Sequence, residues 1–260
     1  MMDAMTWTTL DVALVQEAAD LDPAANRARL GPLTPAGADL VVFPEAFARD
    51  FGKPGSALEE YAEPLDGPFA VEAQRVAQER DSTIVAGMLE RSGEQTKPFN
   101  TLVMRGRATA QYRKIHLYDS FGYRESDVLS AGDPTPCVIE LSGARVGLMT
   151  CYDLRFPELA RALVDAGAEV IVVPAAWVAG ERKVDHWRTL VRARAIENTV
   201  YVVACGQPGP RYCGHSLVVD PLGDVLAEAG EGSEVIRATL RAERLDEARR
   251  LNPSLVNRRL

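Results

Sequence analysis

A chain of 260 residues, 47% hydrophobic and 25% charged, has an ordinary globular composition with enough apolar material for a large core. Its formal charge of −8 argues against a nucleic acid or an anionic membrane as the main partner. Four cysteines with no C-x-x-C pair, and only three histidines, exclude a disulfide framework and zinc-ligand spacing.

The first ten residues carry neither a basic segment nor an apolar one, so no secretory leader is read there. Apolar runs such as 170–174 are too short to span a bilayer. These features point to a reduced, cytoplasmic protein without a structural metal. With no linker-like stretch and no shift in composition, residues 1–260 read as one domain. Its core runs from about 11 to 240, and a C-terminal helix and tail occupy 241–260.

In chain order, apolar runs bounded by breakers predict strands at 12–17, 40–45, 83–89, 101–105 and 108–114. Further strands are predicted at 138–141, 145–150, 170–174, 200–204, 216–220 and 235–240. Arg105-Gly-Arg107 and Asp220-Pro-Leu-Gly-Asp224 read as hairpin turns. Helical spacing covers 68–78, with Phe69, Val71, Ala73, Val76 and Ala77 on its apolar positions. It recurs at 157–166, which opens on Pro157 and stops before Gly167. The helix at 185–198 carries Trp187, Leu190, Val191 and Ile196 on one side, and a short one covers 243–250. Strands alternating with helices, plus hairpins, give an α/β class with a mixed sheet or two sheets and helices outside. The stretch 115–137 has no clear periodicity, and a connection that long is usually functional.

Three segments each deliver one ionisable residue at the end of an extended run. Asp39-Leu-Val-Val-Phe-Pro44 delivers Glu45, 108–113 delivers Lys114, and 145–150 delivers Cys151. Pro44 cannot continue a central strand, so Glu45 emerges at a carboxyl edge, where open α/β sheets place ligands. The chain must turn sharply between Thr150 and Pro157, presenting the Cys151 thiol and leaving the Tyr152 N–H free as an oxyanion donor. A thiol, a carboxylate and an ammonium make an acyl-transfer set of nucleophile, proton carrier and cationic stabiliser, with no metal and no cofactor. Papain-type chemistry would instead pair the thiol with His116, His186 or His215, but nothing beside Cys151 marks that pattern. Cys137, Cys205 and Cys213 have no activating neighbour in the sequence.

Phe43-Pro-Glu45, Tyr112-Arg-Lys-Ile-His-Leu-Tyr118 and Thr150-Cys-Tyr-Asp-Leu-Arg-Phe-Pro-Glu158, in that order, resemble the nitrilase superfamily of carbon–nitrogen hydrolases, nearly from end to end. The resemblance implies a four-layer α-β-β-α sandwich, a Glu45–Lys114–Cys151 triad, and pairing with a second subunit as a homodimer or higher oligomer. It also implies a second glutamate near the thiol, matched by Glu125 in Tyr123-Arg-Glu-Ser126, to position Lys114 and the substrate.

The finer resemblance is to omega-amidases and deaminated glutathione amidases. It is carried by Tyr152-Asp153, His186-Trp187, 192–197 and 214–221, and implies a small-molecule amide substrate. The chain departs from that branch in 176–183, where Trp177 replaces a common phenylalanine and the loop is longer and more charged. Trp177 is thus expected at the pocket wall. Arg155, Arg182 and Lys183 are the expected cations for a distal substrate carboxylate. Arg155 has a rival reading as a brace of the turn. A nitrile or N-carbamoyl substrate fits the same triad, and a non-enzymatic binding role would suit only a decayed one.

Overall fold

The computed structural model of the protein describes residues 7–93, 97–120 and 122–259. Residues 1–6 of the stretch read for a leader, and Phe121 of the 115–137 loop, lie outside them. The first half of the chain runs β1 (Thr9–Gln16), α1 (Pro23–Leu33), β2 (Leu40–Val42), α2 (Pro68–Glu79), β3 (Thr83–Glu90), β4 (Phe99–Gly106) and β5 (Ala110–Arg113). A short hairpin, β6 (Asp119–Ser120) and β7 (Tyr123–Arg124), leads to β8 (Val138–Leu141), β9 (Ala144–Leu148) and α3 (Pro157–Asp165). Then come β10 (Val170–Ala175), α4 (Lys183–Asn198), β11 (Tyr201–Gly206), β12 (Leu217–Val219) and β13 (Val225–Glu228). The last elements are β14 (Glu234–Arg241), α5 (Ala242–Leu251) and α6 (Ser254–Asn257).

Two six-stranded mixed sheets form, in the orders β14-β1-β2-β3-β4-β5 and β13-β12-β11-β10-β9-β8. Strand periodicity decides how they stack. On the first sheet Val12, Leu14, Leu40, Val42, Val85, Leu102 and Met104 share one buried cluster with Leu148, Val172 and Val203 of the second. Their alternate neighbours Ala13, Val15, Val41, Ile84, Ala86 and Val103 pack with Leu30 of α1 and Phe69, Ala73 and Val76 of α2. The second sheet is covered on its far side by α3 and α4. The result is the α-β-β-α order of layers. Every residue of β2, β3, β10 and β11 is buried, which is why these strands read as unbroken apolar runs.

The departures from expectation have local causes. Helix α1 escapes sequence reading because it has Pro32 inside and buries only Asn26 and Leu30. Its N-cap is sound, since Asp22 accepts from the Ala24 N–H at 2.9 Å. Val71 and Ile196 are 57% and 41% exposed, so neither belongs to its helix's core stripe as expected. In α4 the buried stripe is Trp187, Val191, Arg194, Ala195 and Asn198. Strand β13 reads poorly because three of its four residues are exposed. No helix among the described residues is long and apolar enough to cross a membrane.

Strand β2 is parallel to β1 and β3, and β10 is parallel to β9 and β11. Their carboxyl ends release residues 43–45, 149–151 and 176–177 together. The turn after β2 lies directly on β3 at Gly87. A Cβ there would stand 2.8 Å from the Glu45 Cα and overlap the Ala46 backbone nitrogen. We therefore expect Gly87→Ala to lower stability by about 3 kcal/mol, measured as a reduced urea midpoint, because neither backbone can retreat from the buried contact.

Candidate active site

Each side chain of the site is placed by the end of an element. Val42 closes β2, Pro44 follows, and Ala46 sits at φ 55°, so the chain reverses at Glu45. Arg113 closes β5, and the Lys114 N–H still donates to the Asn100 carbonyl of β4 at 2.8 Å. Leu148 closes β9, and Cys151 opens a short 3₁₀ segment, Cys151–Arg155. The φ of Cys151 is 46°, a left-handed conformation that costs about 1–3 kcal/mol for a residue with a side chain. Arg194 of α4 grips the far end of that segment, donating to the Leu154 carbonyl from Nε at 3.1 Å and Nη2 at 2.7 Å. Arg194 therefore braces the turn, and Arg155 does not need to.

The structure brings Glu45, Lys114, Glu125 and Cys151 together around one cavity, all of them at least nine-tenths buried. Lys114 Nζ lies 3.0 Å from Glu45 Oε1 and 2.9 and 3.1 Å from the two Glu125 oxygens. Glu45 Oε1 also accepts from Asn100 Nδ2 at 2.7 Å, and Oε2 from the Ala176 N–H at 2.7 Å. Glu125 Oε2 accepts from the Tyr118 N–H at 2.6 Å. Burial alone would lower the Lys114 pKa. The charges of Glu125 and then Glu45 outweigh it and hold the ammonium well above its usual value. Burial, and then the Glu45 carboxylate, push the Cys151 thiol well above the usual thiol range, against a smaller opposing pull from Lys114. A thiol shifted in that direction is neutral near pH 7.

The cavity above these groups has a volume of about 340 Å³ and is walled by aromatic rings and cations. Tyr118, Tyr123, Tyr152, Trp177 and Tyr212 line it, together with Arg155, Lys183, Lys53 and Arg211. The Arg155 guanidinium lies 4.8 Å from the Trp177 ring centroid. Its Nε and Nη2 are buried without a hydrogen-bond partner, and it makes no ion pair among the described residues. Lys183 Nζ reaches the Tyr118 hydroxyl at 3.3 Å, and burial, then the Arg155 charge, lower its pKa. Arg211 is paired with Asp50 at the rim.

Arg182 is a correction. It sits at the N-cap of α4 with φ 60°, its side chain is 76% exposed, and it is not part of the cavity wall. The left-handed backbone there leaves its neighbour Lys183 to line the cavity. None of the three histidines lines the cavity either. His116 bonds Asp153, and His215 gives its carbonyl to Trp187.

Asn100 and Tyr118 went unread in the sequence. Asn100 stands one residue outside the strand read at 101–105, next to Thr101 in a strand that also carries Arg105, so no local pattern singled it out. Among the described residues no group of three or more His, Cys, Asp or Glu side chains is arranged to hold a metal ion.

The carbon-nitrogen hydrolase family model matches residues 11–250. The chain belongs to the carbon–nitrogen hydrolase family. A deaminated glutathione amidase of Escherichia coli O157:H7 is 40% identical, over 85% of this chain and 84% of its own. A 2-oxoglutaramate amidase of Paenarthrobacter nicotinovorans is 38% identical, over 85% and 79%. A CN-hydrolase superfamily protein of Xanthomonas campestris superposes with a TM-score of 0.86 at 32% identity, covering 97% of this chain and 98% of that one. A cysteine-to-alanine variant of an amidase from Nesterenkonia sp. AN1, in complex with butyramide, superposes with a TM-score of 0.77 at 27% identity, over 92% and 94%. This carbon–nitrogen hydrolase is thus an enzyme with the nitrilase-superfamily fold.

The buried charge cluster makes its own prediction. Lys114→Met would leave Glu45 and Glu125 facing each other without a cation. We expect about 3–5 kcal/mol of stability to be lost at neutral pH, read from urea denaturation, whereas Arg75→Met on the surface of α2 should leave the urea midpoint close to the parent's.

Proposed function

We propose that this carbon–nitrogen hydrolase is a cysteine-dependent amidase acting on a small amide that also carries a carboxylate. The observation that carries the reading is the placement of a neutral Cys151 thiol beside Glu45 and the Glu125-held Lys114, at the floor of a cavity whose wall bears an unpaired guanidinium. The amidase names of its relatives point the same way, as does the cysteine variant caught with an amide.

In the first half-reaction Glu45 takes the Cys151 proton and the sulfur attacks the amide carbon. The oxyanion that forms is met by the Lys114 ammonium and by the Tyr152 N–H. That N–H stands at the start of the 3₁₀ segment, where no carbonyl of the same segment can accept it. Glu45 returns its proton to the departing ammonia as the tetrahedral adduct collapses to a thioester. Glu45 then takes a proton from water, which attacks the thioester and releases the acid and the thiol. Glu125 keeps Lys114 charged and fixed. It is a positioning group, with both oxygens committed to Lys114 and one also to the Tyr118 N–H.

The substrate's distal carboxylate is assigned to Arg155, whose guanidinium lines the cavity without an ion pair among the described residues, with Lys183 as the second cation and Trp177 as the platform under the guanidinium. No part of this reading asks for a partner other than the small substrate. Its unpaired thiols suit a reducing compartment such as the cytoplasm.

Cys151→Ala should abolish ammonia release. Mass spectrometry of the parent protein with a slowly turned-over amide should find an acyl adduct on Cys151 and on no other cysteine. Arg155→Met should raise KM for a carboxylate-bearing amide by about 10- to 100-fold, the equivalent of about 1.5–3 kcal/mol. It should leave KM for a neutral amide such as butyramide within about twofold. Equal changes for both substrates would remove Arg155 from the site.

A further inference from the structure

Asp153 is a fully buried carboxylate that the proposed chemistry does not use. It is not part of the cavity wall, so it meets neither substrate nor sulfur there. Its four hydrogen-bond donors come from two separate parts of the chain. Oδ1 accepts from the His116 N–H at 3.0 Å and from His116 Nδ1 at 2.7 Å. Oδ2 accepts from the Tyr112 hydroxyl at 2.6 Å and from the Thr150 N–H at 2.8 Å. An ionised carboxylate offers about four acceptor sites, and here each is taken.

The identity of the donors matters more than their number. Tyr112 and His116 flank Lys114 two residues to either side, and Thr150 immediately precedes Cys151. The first group belongs to the end of β5 in one sheet, the second to the end of β9 in the other. We infer that Asp153 is a positioning residue, a clamp that joins the Lys114 strand end to the Cys151 turn and so sets the separation of ammonium and sulfur.

Two observations reinforce this. The same two segments interleave a second time through their rings. His116 stacks on Phe156 at 3.8 Å and 6°, Phe156 meets Tyr152 edge-on at 5.3 Å, and Tyr152 meets Tyr118 edge-on at 5.0 Å. The residue being held is also the strained one. The positive φ of Cys151 persists only where its surroundings fix it, and the Thr150 and Asp153 bonds fix it from both sides. Burial, and then the Asp153 charge, keep the Tyr112 phenol well above its usual pKa, so it stays a donor to this carboxylate. Asparagine could not replace Asp153, because its NH₂ lobe would face two existing donors.

The inference rests on the cysteine chemistry proposed above, and its test keeps the two separable. Three variants are compared with the parent: Asp153→Asn, Tyr112→Phe, and His116→Phe, which keeps the ring stack and removes the Nδ1–H donor. For one amide we expect kcat to fall about a hundredfold for Asp153→Asn and about tenfold for each of the others, as for small displacements of a reacting group. KM should stay within about twofold, since the cavity wall is untouched. Alkylation of Cys151 by iodoacetamide, followed by mass at that residue, should slow in the same order.

A purely structural role would lower the thermal midpoint while leaving kcat and alkylation of the folded molecules at parent values. That result overturns the clamp. Should Asp153→Asn fail to fold, the two single-donor variants decide the matter alone. Slowed alkylation in a protein that turns over no amide would sink the amidase reading and leave the clamp standing. Parent-level turnover and alkylation in all the variants would sink only the clamp.

Discussion

Two carboxylates, Glu45 and Glu125, are buried against a single ammonium, Lys114, with all three side chains no more than 5% exposed. Charges removed from water this far are tolerable only when partners satisfy them. Glu45 comes from the end of β2, Lys114 from the end of β5 three positions along the sheet, and Glu125 from the segment after the β6–β7 hairpin. None of these segments can shift without leaving another's charge uncompensated. The charge cluster therefore holds the strand ends in register around the sulfur, and Asn100 and the Ala176 N–H complete the shell from β4 and the end of β10.

The second sheet contributes the sulfur, and here the difficulty is conformational rather than electrostatic. Cys151 sits in a left-handed turn that an L-residue adopts only under constraint. The constraint comes from opposite sides. Arg194 holds the Leu154 carbonyl from the helix outside, and Asp153 holds the Thr150 N–H from within the layer between the sheets. A flexible loop could carry the same residues, but it would not hold a thiol beside a carboxylate to the fraction of an ångström that the proposed proton transfer requires.

Above this floor the cavity changes character. Its rings offer apolar area at low entropic cost, while Arg155 and Lys183 add positive charge near the thiol. The surplus of cations on the wall over the two carboxylates already bound to Lys114 is what the proposed preference for an anionic substrate rests on. Trp177 links this wall to the scaffold. It supports Arg155 on one side and packs against the fully buried Trp187 of α4 at 5.4 Å on the other.

The amino-acid sequence by itself determined the strands that are buried on both faces, because burial on two sides writes an unbroken apolar run at β2, β3, β10 and β11. It also determined which ionisable residues follow β2, β5 and β9, and the family resemblance followed from their order. It could not show α1, whose apolar stripe is too narrow, or the exposed strand β13. It put Arg182 and Lys183 on equal terms, although one backbone angle at the start of α4 separates them. Asn100, Asp153 and Arg194 received their long-range partners only from the tertiary structure. Hydrogen bonds over 25 to 55 residues of separation, like a salt bridge spanning 69, depend on which strand lies beside which. Local pattern fixes what each segment is. The stacking of the two sheets decides which charges meet.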